Sequence, residues 1–199
     1  MFHRDGLKGK VVILTGACRG IGRTLAIELA RGGASLVILS RIPSELSDTA
    51  RAVKFAGGKV LSFKADISKV GHIKEVVDRT VSGFGRIDVL VNNAAVIGPV
   101  KPLSRIEENE WDNIFSINLK GVFLFSKAVI PHMIKQGDGR IINVISGLGD
   151  VLIPVLGAYS IAKAGVAHLT RVLAEELKAY NIRVNGYYHN VLTRRVSPC

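Results

Sequence analysis

Short apolar runs alternate with longer amphipathic segments along most of this chain. Six of the short runs are rich in valine, isoleucine and leucine, which is typical of strands that are buried on both faces. They lie at residues 10–14, 35–40, 59–65, 87–91, 140–145 and 182–185. Between them, apolar residues recur at helical spacing. The longest such segment, 105–136, predicts two helices, the second beginning near Trp111 and interrupted or ended around Pro131.

Strands that alternate with helices predict an α/β fold, with a parallel sheet and helices on both of its faces. Six strands suffice for a doubly wound parallel sheet of the Rossmann type, with strand order 3-2-1-4-5-6 and ligands at the carboxyl ends of the strands. At 199 residues the chain is expected to form a single domain, 1–199, with a sizeable core.

A glycine-rich turn joins the first strand to the helix after it. The sequence Thr-Gly-Ala-Cys-Arg-Gly-Ile-Gly at 15–22 places Gly16, Gly20 and Gly22 where any Cβ would hold phosphates away from the backbone. The following helix offers unpaired N–H groups and the positive end of its dipole, which favour anions. An ordinary βα turn also accepts glycine, but three glycines in this context favour a dinucleotide site.

The residues after the second and third strands bear on which dinucleotide would bind. An NAD site commonly places a carboxylate after the second strand to bind the ribose hydroxyls. Here Ser40 and Arg41 stand there, with Arg19 on the neighbouring turn, and two guanidiniums would grip a 2′-phosphate. The sequence therefore predicts NADP(H) rather than NAD(H), unless both arginines are merely exposed. Asp66 either accepts from the adenine amino group or caps the next helix.

A second group of polar residues follows the fourth and fifth strands. Tyr159 and Lys163 are four apart and share one helix face, although such a pair is usually a surface contact. A phenol has a pKa near 10, and a nearby ammonium would lower that pKa towards the range useful for proton transfer. Ser146 ends a strand just upstream. Asn118, within an apolar stretch, is a satisfied core amide, an exposed one, or the holder of a water in a proton path.

Together these motifs resemble the short-chain dehydrogenase/reductase family over about residues 8–185. The turn at 15–22 matches the family's T-G-x-x-x-G-x-G, and Asn-Asn-Ala-Ala at 92–95 resembles its N-N-A-G segment. A tetrad of Asn, Ser, Tyr and Lys follows in the family's order, at Asn118, Ser146, Tyr159 and Lys163. With Tyr159 and Lys163 counted as one segment, five segments match in the family's order. This makes the resemblance specific, whereas the glycine turn alone would not.

The resemblance implies a role for each member of the tetrad. Tyr159 would be the general acid/base and Ser146 would bind the substrate oxygen. Lys163 would hold the nicotinamide ribose and lower the pKa of Tyr159, and Asn118 would position a relay water. Tyr159 and Lys163 thereby also count among the cofactor-binding residues. The further cofactor contacts that it implies are Gly16, Ala17, Cys18, Arg19, Ile21, Ile67, Asn93 and Ala94.

The implied function is an NADP(H)-dependent oxidoreductase that moves hydride between nicotinamide C4 and a carbonyl carbon. The Arg-Gly-Ile-Gly turn with Ser40-Arg41 is most similar to NADPH-dependent 3-oxoacyl-carrier-protein reductases. The partners implied are a small carbonyl or alcohol substrate and further copies of the chain, as a homodimer or homotetramer.

The carboxyl end departs from the family's pattern. After Ile-Arg-Val-Asn at 182–185, members usually carry a Pro-Gly segment, a substrate-covering region and another strand. Here His189-Asn190 stands where Pro-Gly is expected, so residues 186–199 are expected to be an atypical tail, with the lid and last strand missing. The alternative function is therefore an NADP(H)-binding domain with little or no turnover, because an uncovered site stays wet.

Charge and composition limit the classes of binding partner that the chain is expected to have. The net charge is +11, but the 27 basic residues are spread along the chain and only Arg194-Arg195 are adjacent, unlike a nucleic-acid arm. A nucleic acid is therefore not expected as a partner. No apolar run reaches the length of a membrane span, so a membrane is not expected either. Two isolated cysteines predict neither a disulfide framework nor a metal site, and favour a cytoplasmic location.

Overall fold

A computed structural model describes residues 6–147 and 153–189. One parallel sheet forms the centre of this part, in the order β3-β2-β1-β4-β5-β6. The predicted α/β fold and doubly wound strand order are therefore confirmed. The strands are β1 (Val11–Thr15), β2 (Ser35–Ser40), β3 (Val60–Lys64), β4 (Val89–Asn92), β5 (Gly139–Ser146) and β6 (Ile182–His189).

Helices connect the strands and cover both faces of the sheet. They are α1 (Gly20–Arg31), α2 (Pro43–Phe55), α3 (Val70–Phe84), α4 (Glu108–Phe115), α5 (Gly121–Gln136) and α6 (Gly157–Leu177). Within β1, Ile13 packs with Phe125 of α5, whereas Val12 and Leu14 pack with Ala26 of α1. Alternate residues of one strand thus enter two separate cores, which is why the strand is apolar throughout rather than alternating.

The long helical segment differs from its prediction. Helices α4 and α5 are joined by a π-helical turn, Ser116–Lys120, and form one run of 29 residues from Glu108 to Gln136. The predicted end or break near Pro131 is wrong, because α5 continues past it with Val129 and Met133 fully buried on either side. Tertiary packing here outweighs the lost hydrogen bond of proline.

The same run is long and apolar enough to cross a membrane, by length and composition only. It also packs against the sheet through Phe125 and Val129, as core helices of water-soluble proteins do. A single helix that passes this test is weak evidence, so the expectation of no membrane partner stays a prediction.

Strand β6 is longer than the predicted 182–185. It continues through Gly186 to His189, in parallel register with Asn143 to Ser146 of β5. Gly186 leaves room for the side chain of Ile145, because a Cβ at position 186 would lie 2.2 Å from Cδ1 of that residue. The first residues of the expected atypical tail are therefore part of the sheet. Residues 190–199 lie outside the described residues, so the expectations about a lid and a last strand stay predictions.

Candidate active site and dinucleotide cleft

The glycine turn after β1 packs tightly on itself and on the end of β4. A Cβ at Gly16 would lie 2.7 Å from Cα of Ala94, and a Cβ at Gly22 would lie 2.1 Å from the carbonyl oxygen of Gly16. Gly20 is different, because nothing lies within 4 Å of its added Cβ but its φ is +52°. Two glycines are thus required by close approach and the third by backbone conformation.

The end of β4 holds this turn through hydrogen bonds. The hydroxyl oxygen of Thr15 accepts from the backbone N–H groups of Asn93 and Ala94, at 2.9 Å each. In return, the Asn93 side-chain amide donates to the carbonyl oxygens of Thr15 and Gly16, at 3.0 Å each. Thr15 is not among the site residues that the sequence predicts. A polar residue closing an apolar strand is the signal that could have found it.

A cleft of about 260 Å³ opens over the carboxyl ends of β1, β2 and β3. It extends from the glycine turn to Val96 in the loop after β4 and to Ile117 in the π-helical turn. The structure therefore brings together most of the predicted cofactor contacts. Those that line the cleft are Gly16, Cys18, Arg19, Ile21, Gly22, Ser40, Arg41, Asp66, Ile67, Asn93 and Ala94.

Four predicted cofactor contacts do not line the cleft: Ala17 and Gly20 in the turn, and Tyr159 and Lys163 on α6. Ala17 is fully buried, and its N–H donates to the carbonyl oxygen of Leu39 at 3.2 Å, as does that of Gly16 at 2.9 Å. Gly20 is exposed beside the cleft at the start of α1. The donors left for an anion are therefore the N–H groups of the first turn of α1, which have no partners within a helix.

Positive charge surrounds the adenosine side of the cleft. Arg19 and Arg41 are both exposed and line it. Ser40 is buried, and its hydroxyl oxygen accepts from the N–H of Ile42 at 3.2 Å, which shapes the bend that presents Arg41. No carboxylate stands after β2. This is the arrangement that the sequence predicted for a 2′-phosphate.

Asp66 closes the other side of the adenosine region. Its carboxylate accepts from the N–H and hydroxyl of Ser68, at 2.9 and 2.7 Å. Partial burial raises the pKa of Asp66, but these hydrogen bonds and the charges of Arg41 and Lys69 outweigh it, so the pKa is lowered. The residue before α3 is Lys69, so Asp66 holds its own turn rather than capping that helix.

Asn118 is a fully buried amide in the π-helical turn. Its oxygen accepts from the N–H of Val96 at 2.8 Å, and its nitrogen donates to the carbonyl oxygen of Val96 at 2.7 Å. Of the alternatives from the sequence, the satisfied core amide describes the side chain. Asn118 thus fixes the loop that lines the cleft beyond Ala94, and its role in holding a relay water stays a prediction.

Ser146 and Tyr159 meet at the carboxyl end of β5. Both are buried, with exposed fractions of 1% and 8%, and their side chains are hydrogen-bonded. Burial raises the pKa of the Tyr159 phenol, because the phenolate would lose its hydration, and the hydrogen bond from Ser146 opposes this in part. The phenol is therefore protonated at neutral pH and able to donate a proton.

Lys163 lies one turn after Tyr159 on the buried face of α6. Its ammonium donates to the carbonyl oxygen of Val144 at 2.8 Å and lies 5.9 Å from the centre of the Tyr159 ring. Burial lowers the pKa of Lys163 to about 8, so the amine is mostly protonated at pH 7. The expectation that Lys163 lowers the pKa of Tyr159 is wrong for the chain by itself, because burial of the phenol dominates.

The cleft fits a nicotinamide dinucleotide. A glycine turn whose backbone is open at Gly20, a helix start without side-chain caps and two arginines provide a cradle for phosphates. Asn118 holds Val96, which lines the cleft in the loop after β4, and β4 pairs with the strand that ends at Ser146. Among the described residues, no group of three or more His, Cys, Asp or Glu side chains is placed to hold a metal ion.

The doubly wound sheet and its glycine-turn cleft define a Rossmann-type dinucleotide-binding protein. Comparison with known families identifies the family within this class. The model of the short chain dehydrogenase family matches residues 10–193, and the chain belongs to that family. It is thus an oxidoreductase of the class that transfers hydride with a nicotinamide dinucleotide.

Individual relatives agree with this assignment. The chain is 38% identical, over 194 residues, to the 3-oxoacyl-acyl-carrier-protein reductase FabG of Thermotoga maritima, covering 96% of this chain and 78% of the relative. It superposes on NAD⁺-bound xylitol dehydrogenase with a TM-score of 0.90 and 33% identity, over 93% of this chain and 71% of the other. It superposes on a metagenomic short-chain oxidoreductase in complex with NADP with a TM-score of 0.88 and 36% identity, over 92% of this chain and 82% of the other.

Proposed function

We propose that this chain is an NADP(H)-dependent reductase of ketones or aldehydes, interconverting a carbonyl with the corresponding alcohol. The observation that carries the proposal is the hydrogen bond between Ser146 and Tyr159, made at the carboxyl end of β5 and one helical turn from Lys163. Strand β5 pairs with β4, and the residues that follow β4 line the cleft. A buried phenol that stays protonated at neutral pH is suited to donate to a carbonyl oxygen as hydride arrives at its carbon.

Each side chain has a separate task in this proposal. When bound, the nicotinamide supplies or accepts the hydride. Ser146 donates a hydrogen bond to the substrate oxygen, and Tyr159 gives that oxygen a proton during reduction or removes it during oxidation. Lys163, held against Val144, keeps a positive charge near the phenol. That charge would offset part of the cost of burying the phenolate that remains after Tyr159 has given up its proton.

Arg41 and Arg19 support NADP(H) over NAD(H). Their guanidiniums line the part of the cleft that follows β2, and no carboxylate stands there to repel a 2′-phosphate. Solved relatives bind either cofactor: one structure holds NAD⁺ and another holds NADP. The preference therefore rests on the arginines of this chain.

The test is turnover of the full chain with NADPH and a panel of carbonyl compounds that includes 3-oxoacyl thioesters, after the named activity of the Thermotoga relative. We expect Tyr159→Phe to lower kcat by about 10²- to 10⁴-fold, because general acid–base catalysis is lost. NADPH affinity, measured by fluorescence, should change little.

Tyr180→Phe is the matched control, because Tyr180 is an exposed tyrosine in the turn after α6 and should leave kcat unchanged. Tight NADPH binding without turnover of any substrate, unaltered by Tyr159→Phe, would instead support the alternative of a dinucleotide-binding protein with little or no activity. Equal losses in both tyrosine variants would contradict the role given to Tyr159.

A further inference from the structure

Four polar side chains form a continuous hydrogen-bonded chain inside the apolar core beneath the candidate site. Asn92 of β4 and Asn143 of β5 are direct neighbours in the sheet. The Asn92 amide donates to Oδ1 of Asn143 at 2.9 Å and to the hydroxyl of Ser126 at 3.3 Å. The Asn143 amide donates to the hydroxyl of Thr170 at 2.9 Å. We call these four residues the core polar chain.

The core polar chain is buried and anchored at both ends. Its members have exposed fractions between 0% and 6%. The hydroxyls at its ends donate back to their own helices, Ser126 to the carbonyl oxygen of Val122 at 2.8 Å and Thr170 to that of Val166 at 2.7 Å. In a medium of low dielectric, such bonds are strong and a small displacement leaves a buried donor unpaired. The chain therefore fixes the relative positions of the elements that it joins.

One end of the core polar chain sets the height of α6 along β5. Besides the bond between Ser146 and Tyr159, two hydrogen bonds join these elements: Asn143 to Thr170, and Lys163 to the carbonyl oxygen of Val144. Their strand residues are adjacent in β5, and their helix residues lie two turns apart on the buried face of α6. Tyr159 extends from the same face of α6 towards Ser146 at the end of β5, so its position depends on this alignment.

The other end of the core polar chain reaches the remaining parts of the site. Asn92 immediately precedes Asn93, whose side chain holds the glycine turn. Ser126 lies in α5, which continues from the π-helical turn that carries Asn118. The core polar chain thus has one member in each of β4 and α5, the elements next in the chain to Asn93 and to the turn that carries Asn118.

We propose that Thr170, acting through Asn143, is a positioning residue that keeps α6 at the height along β5 where the Tyr159 phenol meets Ser146. This inference rests on the proposed carbonyl reduction for its kinetic consequence, but its geometric consequence does not depend on turnover. Thr170 does not line the cleft and lies about three helical turns from Tyr159 along α6, so its influence is transmitted by the helix.

The test compares three variants of the full chain. Thr170→Val keeps the shape but removes the acceptor of Asn143, and we expect kcat to fall roughly tenfold, because small misplacements of reacting groups are costly. The KM for NADPH should stay within about twofold. Thr170→Ser restores the hydroxyl and should restore kcat. If Thr170→Val does not fold, Thr170→Cys replaces it with the same expectations, because sulfur is a weak acceptor.

The matched control is Thr80→Val in α3. Thr80 is also fully buried, and its hydroxyl likewise donates to the carbonyl four residues earlier, that of Val76 at 2.6 Å. It belongs to a helix outside the core polar chain. Thr80→Val should therefore lower stability as Thr170→Val does, while leaving kcat unchanged.

A crystal structure of Thr170→Val separates the inference from the proposed function. The hydrogen bond between Tyr159 and Ser146 should be broken in that variant and kept in Thr80→Val. If the wild-type chain reduces no carbonyl, the proposed function fails, while this structural comparison still decides the inference. An intact Tyr159–Ser146 contact, an unchanged kcat in an active enzyme, or equal kinetic losses in both valine variants would overturn it.

Discussion

At the scale of single residues, two arginines and one missing carboxylate determine the cofactor preference that we propose. Arg41 lies where the chain leaves β2, on a bend shaped by the hydroxyl of Ser40, and its charge reaches Asp66 across the cleft. An exposed guanidinium can form bidentate hydrogen bonds with a phosphate monoester, for which the 2′-hydroxyl of NADH offers no equivalent.

Arg41→Ala should therefore discriminate between the two cofactors. We expect the Kd for NADPH to rise about ten- to a hundredfold, because charge-assisted hydrogen bonds of roughly 1.5–3 kcal/mol are lost. The Kd for NADH should change little. Titration of cofactor fluorescence measures both values.

The control for this variant is Arg23→Ala. Arg23 is an exposed arginine of α1 that lies outside the cleft lining, so its removal lowers the net charge equally. If Arg41→Ala weakened NADPH and NADH to the same extent, Arg41 would be shaping the cleft rather than binding a 2′-phosphate.

At the scale of elements, the buried carboxylate of Asp88 links β1 to β4 where these two strands begin. Asp88, at the start of β4, accepts from the N–H of Val11 in β1 at 2.9 Å. It also accepts from Nε and Nη2 of Arg86, at 2.8 and 2.6 Å, and from Lys10 at 3.1 Å. Burial raises the pKa of Asp88, but these donors outweigh it and the pKa is lowered.

Asp88→Asn should destabilise the fold by about 2 kcal/mol at pH 7, because hydrogen bonds to a charged group are lost. Since the native pKa lies below the unfolded one, the carboxylate's contribution is complete above the unfolded pKa, near 4. It is lost as the pH falls through the native pKa. The difference between wild type and variant in urea-induced unfolding should therefore shrink in strongly acidic solution.

Asp78→Asn serves as the control for Asp88. Asp78 pairs with Lys74 on the exposed surface of α3, where ion pairs contribute under about 1 kcal/mol. Two results would contradict a stabilising role for the ionised Asp88 carboxylate. One is a loss of stability in Asp78→Asn as large as that in Asp88→Asn, and the other is a difference between wild type and Asp88→Asn that persists unchanged in acid.

At the scale of the whole molecule, the net charge of +11 acts together with the arginines of the cleft. A positive protein attracts a polyanionic cofactor over a distance comparable to the Debye length, and salt weakens that attraction. A ligand that binds only the folded state also raises its stability, by about 2.7 kcal/mol at a hundred times its Kd.

NADPH should therefore raise the Tm of the full chain more than NADH does at equal concentration, and high salt should reduce the difference. The extra phosphate carries the charge on which salt acts, so NADH is the internal control. Differential scanning fluorimetry at low and high ionic strength measures this. Equal shifts for both cofactors at every salt concentration would count against an NADP(H) preference.

Features that depend on local patterns were predictable from the sequence. Each strand is a short apolar run because both of its faces are buried, and six such runs between helices leave few alternatives to a doubly wound sheet. The glycines at 16, 20 and 22 stand out because conformation and close approach exclude other residues. Ser40, Arg41 and Asp66 followed from the strand pattern, since parallel strands end at one edge of the sheet. The resemblance supplied further lining residues, among them Ile67, Asn93 and Ala94.

Contacts between distant parts of the chain were decided only by the tertiary structure. Nothing near Asn118 in the sequence indicates that its amide binds Val96, and nothing near Asn143 indicates that it joins Asn92 to Thr170. Pro131 continues a helix because packing on the sheet holds it, and the Tyr159 pKa follows burial rather than the neighbouring lysine. Pattern determines which elements form. Burial and pairing energies, which depend on all the elements at once, determine what each side chain does within them.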